Sequence, residues 1–194
     1  MTVIQVILGS TRQGRFSERA GAWVVERLTA RGDMTVELVD LRDHPLPFFE
    51  GQSPARTLRD YPTPQIARLG QTIDRADGFV IVSPEYNHGY PGVLKNAMDH
   101  TFVEWHRKPV AFVSWGNVGG ARAVEQLRLV AIEMELAPLR HAVHLLPDVL
   151  LPALRSPEPF DATLLDAMEP RLKMLTDDLL WWARALATAR AAES

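Results

Sequence analysis

Residues 9–20 read GSTRQGRFSERA. A glycine, two hydroxyls and an arginine come first, then a second arginine, a serine and the start of an amphipathic run. Backbone N–H groups at a helix start point outward, and the helix dipole adds about half a positive charge, so such a stretch suits an anion. Two familiar anion loops are excluded. A Walker loop needs a Lys and a Ser or Thr after its second glycine, but Arg15 and Phe16 follow Gly14. A dinucleotide loop needs G-x-G-x-x-G, which this stretch lacks. Ser10, Thr11 and Ser17 can donate hydrogen bonds, and Arg12 and Arg15 can fork onto a terminal phosphate. That chemistry fits a phosphate monoester better than a bridging pyrophosphate. Read alone, the stretch is equally a serine-capped helix after a surface turn.

Two further stretches carry polar groups suited to a planar ligand. In SPEYNHGYPG (83–92), Tyr86 and His88 offer flat faces, Asn87 offers a paired donor and acceptor, and the glycines allow close backbone approach. Glu85 is the carboxylate of this loop, and its expected task is to brace the loop rather than to catalyse. In SWGNVGGARA (114–123), Gly116, Gly119 and Gly120 leave backbone N–H groups open toward a ring edge.

The elements that must position these loops alternate along the chain. Apolar β-type runs at 2–8, 35–41, 78–83, 109–115 and near 139–145 read as strands. Helical periodicity covers 17–31, 64–76, 92–104 and 119–136, with Ser17 as the expected N-cap of the first. Residues 43–63 read as a long loop, and a helical tail runs from about 160 to 190. The result is one α/β domain over 1–194, a three-layer, doubly wound sheet of five parallel strands. Ligands of such sheets sit at the carboxyl ends of the strands, at the switch point in strand order. The loops after strands 1, 3 and 4 therefore belong together.

Composition narrows the chemistry. The chain has 194 residues, 46% hydrophobic, with a formal net charge of -3 and no cysteine. Disulfides, thiolate metal sites and cysteine nucleophiles are excluded, so redox chemistry would need a bound cofactor. Neither nucleic acid nor a membrane is an expected partner, and the expected location is cytoplasmic. The six histidines are scattered, so no metal site is expected.

The strings Gly9-Ser10-Thr11-Arg12, Pro84-Glu85-Tyr86-Asn87 and Pro91-Gly92-Val93-Leu94-Lys95-Asn96-Ala97 resemble the NADPH-dependent FMN reductase family, which includes quinone, azo and chromate reductases. The resemblance covers about the first two-thirds of the chain. It implies a flavodoxin-like strand order 2-1-3-4-5, FMN as cofactor and NADPH or NADH as co-substrate. It also implies ping-pong turnover to a small electron acceptor, with the chemistry carried by the flavin and no catalytic side chain. By the same resemblance, Ser10, Arg12 and Ser17 would bind the phosphate, with the backbone of Phe16. Pro84, Glu85, Tyr86, Asn87 and His88 would wrap the ring. Ser114, Trp115, Gly116 and Gly119 would meet its other edge. Two positions depart from the family pattern. Arg15 stands where many members have Ser or Gly, and is expected to add a phosphate contact or swing to solvent. Gly89 replaces a serine common in relatives. A flavodoxin-like electron carrier and a non-enzymatic FMN-binding sensor are the alternatives. A homodimer, or a tetramer of two such dimers, is expected because Trp105 and Trp181-Trp182 lie on surfaces that one chain has no evident means to cover.

Overall fold

The β-branched run Val3–Leu8 (β1) forms a strand because its side chains suit a pleated, buried surface. In the computed structural model, which describes residues 1–51, 59 and 61–192, it sits inside a sheet with Thr35–Asp40 (β2), Gly78–Pro84 (β3), Pro109–Trp115 (β4) and Ala137–Leu145 (β5). Every strand pair is parallel, and the order is β2-β1-β3-β4-β5. This is the expected order 2-1-3-4-5. The strand order reverses between β1 and β3, so the switch point lies where the loops after β1 and β3 leave.

The helices are Ser17–Thr29 (α1), Pro64–Asp74 (α2), Gly92–His100 (α3), Ala121–Glu133 (α4), Pro147–Arg155 (α5) and Glu169–Ala192 (α6). Strand side chains alternate between two cores. Ile4, Val6, Leu8, Val80, Val82, Ala111 and Val113 face α1, α5 and α6. Ile7, Phe79, Ile81, Val110 and Phe112 face α2, α3 and α4. Full burial of one such large apolar side chain contributes about 1.5–3 kcal/mol, so each helix is fastened chiefly by its apolar stripe. Local signals set the ends. Thr63 caps α2 by accepting from the Ile66 amide at 3.3 Å, with Pro64 in the first turn.

The structure departs from the sequence reading in four places. Helix α5 lies in a stretch assigned to no element. Helix α1 starts at Ser17, but the cap position is Phe16 and no side chain caps it. Helix α3 ends at His100, four residues before the expected 104. Trp105, expected on the surface, is buried: its ring lies 4.7 Å from Phe79 and its Nε1 donates to Thr101 Oγ1 at 2.8 Å. The chain turns after α3 and folds the indole under the sheet, so Trp105 needs no second subunit. The long loop expected over 43–63 opens with a 3₁₀ turn at Leu41–Asp43; residues 52–58 and 60 of it lie outside the described residues. Among the described residues no helix is long and apolar enough to cross a membrane.

Candidate functional site

Strand register brings the three polar loops together. Leu8 pairs with Val82, Ser83 with Ser114 and Pro84 with Trp115. The Gly9 amide continues the ladder to Val82 O at 2.9 Å, and the Glu85 amide reaches Trp115 O at 2.9 Å. The loops therefore leave the sheet side by side.

In the first loop the two arginines part company. Arg12 is exposed; its guanidinium lies 4.8 Å from the centre of the Tyr86 ring. It forms no ion pair among the described residues, so its donors are open to a ligand. Arg15 does not swing to solvent, the second of the two expectations for it. Its guanidinium side chain is 1% exposed. Nε and Nη2 donate to Glu18 Oε1 at 3.2 and 3.1 Å, Nη1 donates to Asp40 Oδ1 at 2.8 Å and to Ser10 O, and Nη2 donates to Asp40 Oδ2. An arginine has five N–H donors, and all are engaged. The donors that the sequence offered to a phosphate are thus engaged within the chain: a buried charge needs paired acceptors, and Asp40 and Glu18 supply them. Burial alone would raise the Asp40 carboxyl, but the bonds from Arg15 and from the Arg42 amide outweigh it and hold it below the usual range.

The hydroxyls converge on the same loop. Ser10 Oγ lies 2.9 Å from Tyr86 Oη, and the Arg12 amide leans on Ser10 Oγ at 3.4 Å. Ser17 is fully buried in the first turn of α1, and its Oγ has no hydrogen-bond partner among the described residues. A buried hydroxyl without a partner is uncommon, because it forfeits its hydration. Phe16 buries its ring against Trp115 (5.4 Å) and Phe160 (6.2 Å), which leaves its backbone for the loop.

The second loop is a tight hairpin. Tyr86 and Gly89 exchange two backbone bonds, at 2.8 and 3.0 Å, around Asn87 and His88. Both central residues have positive φ, 50° and 72°, the pattern of a type I′ turn. Arg122 of α4 fixes this turn. Its Nη1 meets His88 Nε2 at 2.8 Å, and its Nε donates to Glu85 Oε1 at 2.7 Å. Its Nη2 also pairs with Glu85, whose side chain is only 4% exposed. Glu85 thus braces the loop after β3.

The third loop is built from backbone. The Ser114 hydroxyl, expected at a ring edge, donates to Ser83 O at 2.7 Å, and the Trp115 ring belongs to the core beside Phe16. Neither side chain is free for a ligand. Gly116 and Gly119 close a turn through Gly119 N to Gly116 O at 2.9 Å, and Asn117 and Val118 stand exposed at its tip. Asp40, Arg42 and Arg122 were missed in the sequence. An arginine just past a strand, or just inside a helix, carries no periodic or motif signal.

The chain is 38% identical over 157 residues to the NAD(P)H-dependent FMN reductase C4B3.06c of Schizosaccharomyces pombe, covering 79% of this chain and 78% of that one. It is 34% identical over 143 residues to a 2-hydroxy-1,4-benzoquinone reductase of Burkholderia sp, covering 69% and 72% of the two chains. The fold matches that of FerB, a flavoenzyme NAD(P)H:(acceptor) oxidoreductase from Paracoccus denitrificans, with a TM-score of 0.72 at 19% identity, over 95% of this chain and 98% of that one. Residues 2–148 match the family described as NADPH-dependent FMN reductase. With the flavodoxin-like strand order and three loops at the switch point, the chain belongs to the NADPH-dependent FMN reductase family.

Proposed function

We propose that the protein is an NAD(P)H-dependent oxidoreductase that binds FMN across the three loops and reduces a small acceptor such as a quinone, an azo compound, a metal oxyanion or free flavin. The observation that carries this reading is the buried Ser17 hydroxyl in the first turn of α1, which has no partner among the described residues and follows the loop of the exposed Arg12. A phosphate there would give Ser17 its missing partner and Arg12 its counter-charge. The residues present fit FMN in this respect. Bound FMN would supply the redox chemistry, taking an electron pair from NAD(P)H and passing it to the acceptor in alternating half-reactions.

The chain's own part is to hold and orient. Ser10, Arg12, Ser17 and the amides of the loop would hold the phosphate. Pro84 through His88 would line the ring, with the Gly116–Gly119 backbone at its other edge. Arg122, through Glu85 and His88, keeps the ring loop in one shape. No side chain is assigned as acid, base or nucleophile. The test is to release the cofactor by heat and compare it with standards. FMN is expected; FAD, or no flavin after reconstitution, overturns the reading.

A homodimer is part of this proposal. On α6, Trp181 and Trp182 stay 65% and 39% exposed, and their rings meet edge to face at 5.3 Å. Leu179 and Leu180 beside them are buried, so the run splits between the core and the surface. An exposed aromatic pair favours a second subunit, and a twofold dimer is the commonest closed form. Light scattering at low micromolar concentration is expected to give twice the mass of one chain, and the mass of a single chain would defeat the expectation.

A further inference from the structure

Arg15 and Arg42 grip three consecutive carbonyls of the first loop. Arg15 Nη1 donates to Ser10 O. One edge of the Arg42 guanidinium takes the next two: Nε donates to Thr11 O at 3.1 Å, and Nη2 donates to Arg12 O. Each peptide plane carries its carbonyl and the following N–H in opposite directions. Holding the carbonyls of Ser10, Thr11 and Arg12 toward the two arginines therefore turns the amides of Thr11, Arg12 and Gln13 away from them. Successive N–H groups turned one way form an anion-binding concavity. The Arg12 amide already leans toward Ser10 Oγ, the hydroxyl that the Tyr86 phenol also reaches.

The two arginines do not act by charge. Arg15 is bound by Asp40, and Arg42 Nη1 donates to Glu18 Oε1 at 2.6 Å. Glu18 also accepts from Arg15, and Asp40 Oδ1 accepts from the Arg42 amide at 2.9 Å. Two guanidinium groups and two carboxylates cancel formally. What remains is geometry: a rigid frame, seated on the last residue of β2, whose open edges hold carbonyls.

We propose that Arg15 and Arg42 are positioning residues that set the peptide planes of loop 10–13 for a phosphate monoester, while Arg12 and the hydroxyls make the direct contacts. This rests on the reading of the loop as the FMN phosphate site. It assigns phosphate selectivity to residues that never touch the ligand.

The test is the affinity of the apoprotein for FMN and for riboflavin, read by quenching of flavin fluorescence. Riboflavin has the ring and the ribityl chain but no phosphate, so the ratio of affinities isolates the loop. Arg42→Met and Arg42→Lys are both expected to lower the preference for FMN by about tenfold, the effect of misaligning one charge-assisted hydrogen bond, with riboflavin affinity unchanged. Lysine keeps the charge but lacks the planar fork, so a preference retained in Arg42→Lys would overturn the proposal. The variant Arg15→Met with Asp40→Leu removes the buried pair without leaving an orphaned charge, and is expected to lose the preference while staying folded by circular dichroism. Equal losses for both flavins would mean general damage and would also overturn it. If the unaltered protein does not discriminate FMN from riboflavin, the phosphate reading of the loop itself fails. If it discriminates and the variants still do, only the clamp fails.

Discussion

Gly120→Ala is expected to be the most destabilising single methyl that can be added near the site. Gly120 sits at φ 74° as the cap residue before α4. A Cβ there would come within 1.9 Å of Ser114 Oγ, 2.7 Å of Ser114 Cβ and 2.8 Å of the Trp115 amide nitrogen. Left-handed backbone costs an ordinary residue about 1–2 kcal/mol. Overpacking adds about 1–3 kcal/mol. Pushing Ser114 aside also breaks its bond to Ser83 O, worth about 1 kcal/mol. The sum is about 3–6 kcal/mol, a large share of the ~5–15 kcal/mol that holds a typical domain. Chemical denaturation measures it. Because Ser114 supplies two of the three close atoms, Ser114→Gly in the same chain should recover part of the loss. A double variant that is as unstable as the sum of the two singles would show that the backbone conformation, not the clash, sets the cost.

That collision explains why the glycines of 114–123 stood out in the sequence while the reason for one of them did not. Gly120 is needed for close packing of the loop against the end of β4, a contact set by how the turn closes and not by any periodic pattern. The alternation of strands and helices was legible because short continuous apolar runs and the 3.6 period survive in the sequence whatever the tertiary context. Pro147 and Pro152 broke that signal over α5, although a proline is tolerated in a first turn. Trp105 misled for a related reason. At the end of an amphipathic run it looked surplus to one helix face, and only the turn after His100 carries it under Phe79. Arg15 shows the limit most plainly. Its type and place said anion, and its charge is instead met by Asp40, whose position at the end of β2 depends on the parallel pairing of β2 with β1. Residue type and spacing revealed the loop, whereas the sorting of its two arginines needed the sheet.

Arg12 is the first-loop arginine whose donors stay open in the proposed phosphate site, and Arg12→Ala is expected to separate binding from folding. The side chain is exposed, makes no ion pair among the described residues, and touches the protein through the Tyr86 ring at 4.8 Å. Its loss should therefore cost little stability; an exposed cation over an aromatic ring contributes about 0.5–1 kcal/mol. A charge-assisted contact to a phosphate is worth more, about 1.5–3 kcal/mol, so FMN affinity should fall by roughly ten- to a hundredfold while the denaturation midpoint barely moves. Arg15→Ala should do the reverse. It strips the partner from a partly buried carboxylate and from Ser10 O, so stability should fall first and affinity only through the loop's shape. Titrating the apoprotein with FMN, alongside denaturation of the same samples, distinguishes the two. If Arg12→Ala leaves the affinity unchanged, Arg12 is not a phosphate ligand, and the cation over Tyr86 serves the protein alone.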